Sequence, residues 1–257
     1  MKDQLRRVHA VTTGVLGLDP LAALRSVRGV PRFLATVKKY RSMERDGPFA
    51  MSARNLHPIL SDFGAGAGQA RGHYFFQDLW AAQKIFQRRP TLHLDIGSRI
   101  DGFIAHLLTF MSVTVLDVRP LGSNVEGLTF VQGDATSLRG FGDGSVDSIS
   151  SLHAIEHFGL GRYGDPIDPD GWQKALLSLQ RVLRVGGRLY VSVPAGGERL
   201  CFNAHRIFSP RRIIDTLADL KLVSFSGVDD DGAFLKSPTF DELEACVYGC
   251  ALFEFTK

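Results

Sequence analysis

From Pro90 onward, short uninterrupted apolar runs alternate with segments of helical periodicity. Strands are expected at residues 92–96, 113–116, 129–131, 146–151 and 188–193, and two more near 222–228 and 252–256. Helices are expected at 102–110, 171–183 and 210–220. The middle helix shows Trp172, Leu176, Leu179 and Leu183 on one face. Strands that are apolar throughout, instead of at every second residue, are buried on both faces. That pattern predicts an α/β fold with a doubly wound, mostly parallel sheet of about seven strands. Such sheets place their ligand beyond the carboxyl ends of the strands.

The first 72 residues differ in texture. Residues 1–46 hold ten Lys and Arg against four Asp and Glu, whereas the whole chain of 257 residues carries +3. Leu21, Leu24, Val27 and Val30 recur at three-residue spacing with basic residues between them, so the segment reads as helical. A solvated basic helix pair is the plainer reading, and contact with a polyanion or the inner face of a membrane is the alternative. Residues 47–72, with Gly47-Pro48, Pro58 and a glycine-rich run, read as a loop. Gly64 to Gln69 imitate a nucleotide loop, but no strand precedes them, so linker or lid fits better. A helix is expected at 73–89. The division expected is therefore a basic helical extension and loop over 1–72 and a sheet domain over 73–257.

No apolar run is long enough to span a bilayer. Cys201, Cys246 and Cys250 are too few for a disulfide framework and lack paired C-x-x-C spacing, which favours a reducing, cytoplasmic setting. No metal is expected. A calcium loop through Asp168 and Asp170 would put Pro166 at its first position and Leu177 at its twelfth. Asp170 reads more simply as a helix N-cap, and core packing accounts for Cys246 and Cys250.

Five segments carry chemistry. In LHLDIGSRIDG the first strand ends at Asp95 and the turn holds Gly97 and Gly102. The dinucleotide fingerprint G-x-G-x-x-G is absent, because Arg99 stands at its second glycine, and this counts against a nicotinamide oxidoreductase. In VTVLDVRP the second strand ends in Asp117, a carboxylate whose two oxygens suit a ribose diol. FVQGDAT ends the third strand at Asp134, placed to accept an exocyclic amine of an adenine ring. FGDGSVDSISSLHAIEH and LQRVLRVGGRLYVSVP complete the set.

In this order and spacing the five segments resemble the class I S-adenosylmethionine-dependent methyltransferases. The resemblance covers roughly residues 73–257 and implies a Rossmann-like fold whose last strand is antiparallel. It also implies S-adenosyl-L-methionine as cofactor, held by Asp95, Gly97, Ser98, Asp117, Val118, Asp134, Ala135 and Leu152. QDLWAAQKI, LDIGSRIDGFIAHLL, SLHAIEHFGLGRYGDPIDPDGW and SVPAGGERLCFNAHRIFSP look like a narrower bacterial branch of methyltransferase-like proteins, linked to surface-polysaccharide or glycan assembly.

A sulfonium methyl is already electrophilic, so alignment of the acceptor is the main task. A hydroxyl acceptor also needs a base near neutral pKa. His153 is the first candidate and His157 the second. In a helix the two would lie at i, i+4 with Glu156 beside them. Glu156, Arg162, Tyr163, Asn203, His205 and Arg206 are the acceptor-side candidates for a sugar, glycan precursor or other small molecule, and His73, Tyr74, Gln77 and Asp78 could form a lid. Two other classes remain: a cofactor-binding partner protein without turnover, and an RNA methyltransferase. The latter is disfavoured because Ser-Leu-His-Ala follows strand four instead of an Asn/Asp-Pro-Pro-aromatic motif. DNA is not expected as a partner, since net basicity is too small for an extended phosphate footprint.

Overall fold

The computed structural model describes residues 19–44, 47–63 and 66–257. The chain divides into two units, Met1–Gln69 and Ala70–Lys257. In the first, helix α1 (Pro20–Met43) runs through an internal Pro31. Leu24, Val27 and Val30 of the expected stripe stand exposed on it. The start of the expected basic segment, residues 1–18, and part of the glycine-rich loop, at 64 and 65, lie outside the described residues. Among the described residues no helix is long and apolar enough to cross a membrane.

The second unit is built on β1 (His93–Ile96), β2 (Val113–Asp117), β3 (Leu128–Gln132), β4 (Val146–Leu152) and β5 (Leu183–Ala195). β1 runs parallel to β2 and β4, β2 to β3, and β4 to β5. β10 (Gly249–Thr256) then pairs antiparallel with both β5 and β8 (Lys221–Val228), and β9 (Phe234–Leu235) closes the edge against β8. The sheet order is β3-β2-β1-β4-β5-β10-β8-β9. The architecture is the doubly wound, mostly parallel sheet expected, with eight strands where about seven were anticipated. The additional one, β9, has only two residues, too short for an alternation signal. β6 (Arg199–Cys201) and β7 (His205–Ile207) form a separate small hairpin.

Helices cover both faces. α2 (His73–Arg88) buries Gln77, Trp80, Ala81, Ala82 and Ile85, and stops at left-handed Arg89, just before Pro90. It shares one core with Phe103, Leu107, Val113, Val115 and Leu252. On the opposite face, α4 (Gly171–Val182) packs Leu176, Leu179 and Val182 with Leu116, Ile149, Leu189 and Phe253, together with Ile213 of α5 (Pro210–Thr216). Adjacent residues such as Val115 and Leu116 serve opposite cores, as a strand's period of two requires. A short α6 (Phe240–Glu244) carries a capping box between Thr239 and Glu242.

The helix expected at 210–220 stops at Thr216, and two others depart from expectation. Gly102 adopts φ −121°, ψ −111°, so the segment expected at 102–110 becomes an irregular turn over Ile100–Ile104 followed by a short α3 (Ala105–Leu108). Leu183 opens β5 instead of ending α4. Gly187 in that stretch has no room for a side chain, since an added Cβ would sit 2.9 Å from the Arg184 carbonyl and 3.0 Å from that of Asp147. Asp170 occupies the N-cap position of α4, but its side chain makes no capping bond.

Candidate functional site

The carboxyl ends of β1 to β4 open onto one cleft of about 690 Å³. Gly97 and Ser98 follow β1, Asp117 and Val118 end β2, Asp134 and Ala135 follow β3, and Leu152 ends β4; all of them line the cleft. Gly97 turns with φ +76°, and a Cβ there would meet that of Ala154 at 3.1 Å, so backbone forms this part of the wall. Asp95 lies beneath the wall, fully buried. Its carboxylate accepts the Ser98 N–H at 3.0 Å, the Ser98 hydroxyl at 2.9 Å and the Ser150 hydroxyl at 2.5 Å. Burial pushes its pKa up to about 6 against those bonds. His93 sits one turn of the pleat below, between the Ser148 and Ser150 hydroxyls at 2.8 and 2.9 Å. Burial drives its pKa down to about 3.

The acids at the strand tips are engaged by their own loops. Both oxygens of Asp117 are held by the Arg119 guanidinium, at 3.0 and 2.5 Å. Asp134 accepts the N–H and hydroxyl of Thr136 at 2.8 and 2.7 Å. The Arg119 guanidinium also lies 4.6 Å above the Tyr163 ring, and Arg162 lies 5.1 Å from the same ring. The loop bearing Tyr163 is folded around Asp165, which accepts the N–H groups of Gly159, Gly161 and Tyr163.

After β4 the chain does not continue as a helix. The His153 N–H bonds the Ser192 carbonyl and hydroxyl on β5, at 3.1 and 3.0 Å, and the residue takes φ +48°. A single 3₁₀ turn, Ile155–His157, follows. The i, i+4 helical pair is therefore replaced by two imidazoles that converge on Glu156. Its Oε1 lies 2.8 Å from His153 Nδ1 and 3.7 Å from His157 Nε2. Burial opposes charge on both members of the inner pair, and mutual attraction outweighs it. His153 is held above its usual pKa by Cys250 and Glu156, and Glu156 below its own by His153 and His157. His157 is the more accessible ring. Its Nδ1–H donates to the Ala204 carbonyl at 2.6 Å, and burial lowers its pKa.

Solved structures share this architecture. A Burkholderia thailandensis 1,6-didemethyltoxoflavin-N1-methyltransferase, with bound 1,6-didemethyltoxoflavin and S-adenosylhomocysteine, superposes with a TM-score of 0.50. It is 19% identical and is matched over 70% of this chain and 79% of its own. The N-methyltransferase NodS from Bradyrhizobium japonicum WM9, in complex with S-adenosylhomocysteine, gives 0.50 at 15% identity over 72% and 88%. The [4+2]-cyclase SpnF gives 0.50 at 14% identity over 74% and 84%. The fold is that of the class I methyltransferases. The family model described as "Caenorhabditis protein of unknown function, DUF268" matches residues 135–247, under half of the chain. No curated protein matches.

Within this methyltransferase fold, the residues expected at the site separate into three groups. Gly97, Ser98, Asp117, Val118, Asp134, Ala135, Leu152, His153, His157, Arg162 and Tyr163 border the cleft, as do Tyr74, Gln77 and Asp78 of α2. Asp95 and Glu156 stand behind that wall, where Asp95 shapes the Ser98 turn and Glu156 orients the histidines. Asn203, His205 and Arg206 do not border the cleft. Asn203 is exposed in the β6–β7 turn. His205 packs on Tyr248. Arg206 spends its guanidinium on the carbonyls of Phe158, Pro169 and Glu156. Sequence reasoning missed Arg119 and Thr136. Their signal is local, a donor two residues after each strand-end Asp, where a side chain or N–H returns to the carboxylate.

Proposed function

We propose that this protein transfers a methyl group from S-adenosylmethionine to an oxygen of a small hydroxyl-bearing acceptor, a sugar or glycan precursor. The observation that carries the reading is the convergence of the four parallel strand tips on one cleft. That cleft fits the cofactor: the Gly97 turn leaves backbone room that a Cβ would fill, and acids stand at the tips of β2 and β3. Asp117 suits the ribose hydroxyls and Asp134 an adenine amine, each releasing its present partner to do so. When bound, the cofactor supplies an electrophilic methyl group.

His157 is the better base of the two histidines. His153 commits Nδ1 to Glu156, and its Nε2 is shut away from solvent. His157 keeps its N–H on the Ala204 carbonyl, which leaves Nε2 to take the proton of an acceptor hydroxyl. Glu156, 3.7 Å from that nitrogen, stabilises the charge that results. Arg162 and Tyr163, on the rim, suit a hydroxyl-rich or phosphorylated acceptor. The test is S-adenosylhomocysteine release during incubation with S-adenosylmethionine and a panel of sugars and sugar nucleotides. Release that depends on one acceptor supports the reading; none across the panel and a cell extract refutes it.

A second reading is a protein that binds the cofactor without transferring its methyl. It is favoured by the turn after β1, where Ser98, Arg99 and Ile100 stand in place of alternating glycines and Arg99 pairs with Asp101 beside the cleft. Tight S-adenosylhomocysteine binding by calorimetry without turnover would select it.

A further inference from the structure

Behind the cleft, three elements distant in sequence bring metal-ligating side chains together. His73 opens α2, His153 follows β4, and Cys250 lies in β10. One donor atom from each falls within 4.8 Å of the other two. Cys250 is fully buried. The His153 side chain is 4% exposed, and its Nε2 has no hydrogen-bond partner among the described residues. His153 Nδ1 meets the Glu156 carboxylate at 2.8 Å, and Glu156 is itself 2% exposed. A carboxylate there fixes the N–H on Nδ1 and turns Nε2 away from Glu156, so that a metal binding at Nε2 displaces its proton, the arrangement that commonly orients a ligating imidazole. The His73 ring lies parallel to that of His153 with centroids 5.2 Å apart, and its neighbour on another side is Tyr248. His73 and His153 both border a second cavity, of about 330 Å³, with Arg71, Tyr248 and Asp230.

We propose that His73, His153 and Cys250 form a three-ligand site for a divalent transition metal ion, zinc. A thiolate with two imidazoles excludes magnesium and calcium, which take oxygen ligands, and suits zinc. Zn–N bonds of about 2.0–2.1 Å and Zn–S bonds of about 2.3 Å place tetrahedral donors about 3.3–3.6 Å apart. The triangle therefore has to draw in by about 1.5 Å at most, and the His73 ring has to turn out of its parallel stack. His73 is half-buried at the first turn of its helix, whereas His153 stands just past the end of β4 and Cys250 lies within β10. The bound ion ties α2 to the sheet beside the cleft, and its fourth coordination position is left to water from the second cavity. The site is independent of the proposed methyl transfer, since none of its three ligands is assigned a part in that reaction.

The test is metal binding by the untagged full chain. Metal-free protein given zinc should retain one ion per chain through gel filtration. Its cobalt(II) form should show a thiolate-to-cobalt charge-transfer band and the intense visible bands of tetrahedral cobalt. Cys250→Ser should remove the charge-transfer band and Cys246→Ser should keep it. His73→Ala and Glu156→Gln should each weaken zinc binding about 10-fold or more, with melting curves confirming that they fold. His73→Ala keeps the test decisive if Cys250→Ser does not fold. The proposal fails if zinc is lost on gel filtration, if the cobalt form lacks a thiolate band, or if His73→Ala binds zinc as tightly as the parent chain.

Discussion

Arg119 closes a fork on Asp117, with Nε 3.0 Å from Oδ1 and Nη2 2.5 Å from Oδ2. The carboxylate is almost buried, while the guanidinium is partly exposed. The same two oxygens are the ones a ribose diol would need, so the arginine competes with a nucleoside for the tip of β2. A partly exposed pair of this kind contributes about 1 kcal/mol at most. Arg119→Ala should therefore bind S-adenosylhomocysteine a few-fold more tightly, and Asp117→Ala should lose measurable binding. Titration calorimetry on both variants checks this. Weaker binding by Arg119→Ala would mean that the arginine holds the ligand instead of competing with it.

The Gly97 turn gives a separate test of the cleft wall. An alanine at φ +76° carries a left-handed penalty of about 1–2 kcal/mol, and its Cβ would press on Ala154. Gly97→Ala should lower thermal stability by that amount and also weaken cofactor binding, because the wall moves. If its melting curve and its calorimetric affinity both match the parent chain, the backbone at Gly97 does not shape the site.

If His157 takes the acceptor proton, His157→Ala should slow methyl transfer about 100- to 10,000-fold while cofactor affinity stays unchanged. Since burial lowers the His157 pKa, it is neutral at pH 7, and the rate should fall as acid protonates it below its ordinary value of 6.5. S-adenosylhomocysteine release against pH, for the parent chain and the variant, measures both effects. A pH profile that keeps its acid limb in His157→Ala would assign the base elsewhere.

His93 and Asp95, linked through the Ser150 hydroxyl, should make opposite contributions to acid stability. His93 is neutral in the fold with a pKa near 3 and protonates near 6.5 once unfolded, so its contribution is complete above 6.5 and lost as pH falls. Asp95 has its pKa raised from 3.8 to about 6, so its contribution is present below 3.8 and lost as pH rises through 6. Between pH 4 and 6 the two partly cancel, each proton of difference being worth about 1.4 kcal/mol per pH unit. His93→Asn should gain relative stability on acidification, and Asp95→Asn should lose it more steeply than the parent chain. Melting temperatures from pH 4 to 7 decide; curves parallel to the parent in both variants would mean that neither group titrates differently on folding.

The strands of the parallel half were legible because their signal is local: short apolar runs, of which β1, β2 and β3 end at an acid or a glycine turn. Asp117, Asp134 and Gly97 could be placed at one sheet edge for the same reason, since strand ends in such a fold must share that edge. The edge strand β9, the β6–β7 hairpin and α6 were missed, being two, three and five residues long. At that length neither periodicity nor composition outweighs the surroundings. The arrangement of His153, Glu156 and His157 was also beyond the sequence. Helical spacing suggested a shared face, but the hydroxyl and carbonyl of Ser192 capture the His153 N–H and turn the chain before a helix can start.

Sequence alone therefore determined the sheet, its two coverings and the row of turns on which a ligand would rest, because each follows from burial and backbone preference within a few residues. Tertiary structure alone decided that Asp95 works from underneath, and that His73, His153 and Cys250 meet. Those relations depend on which strands become neighbours and how far each side chain reaches across them. No spacing along the chain encodes that distance.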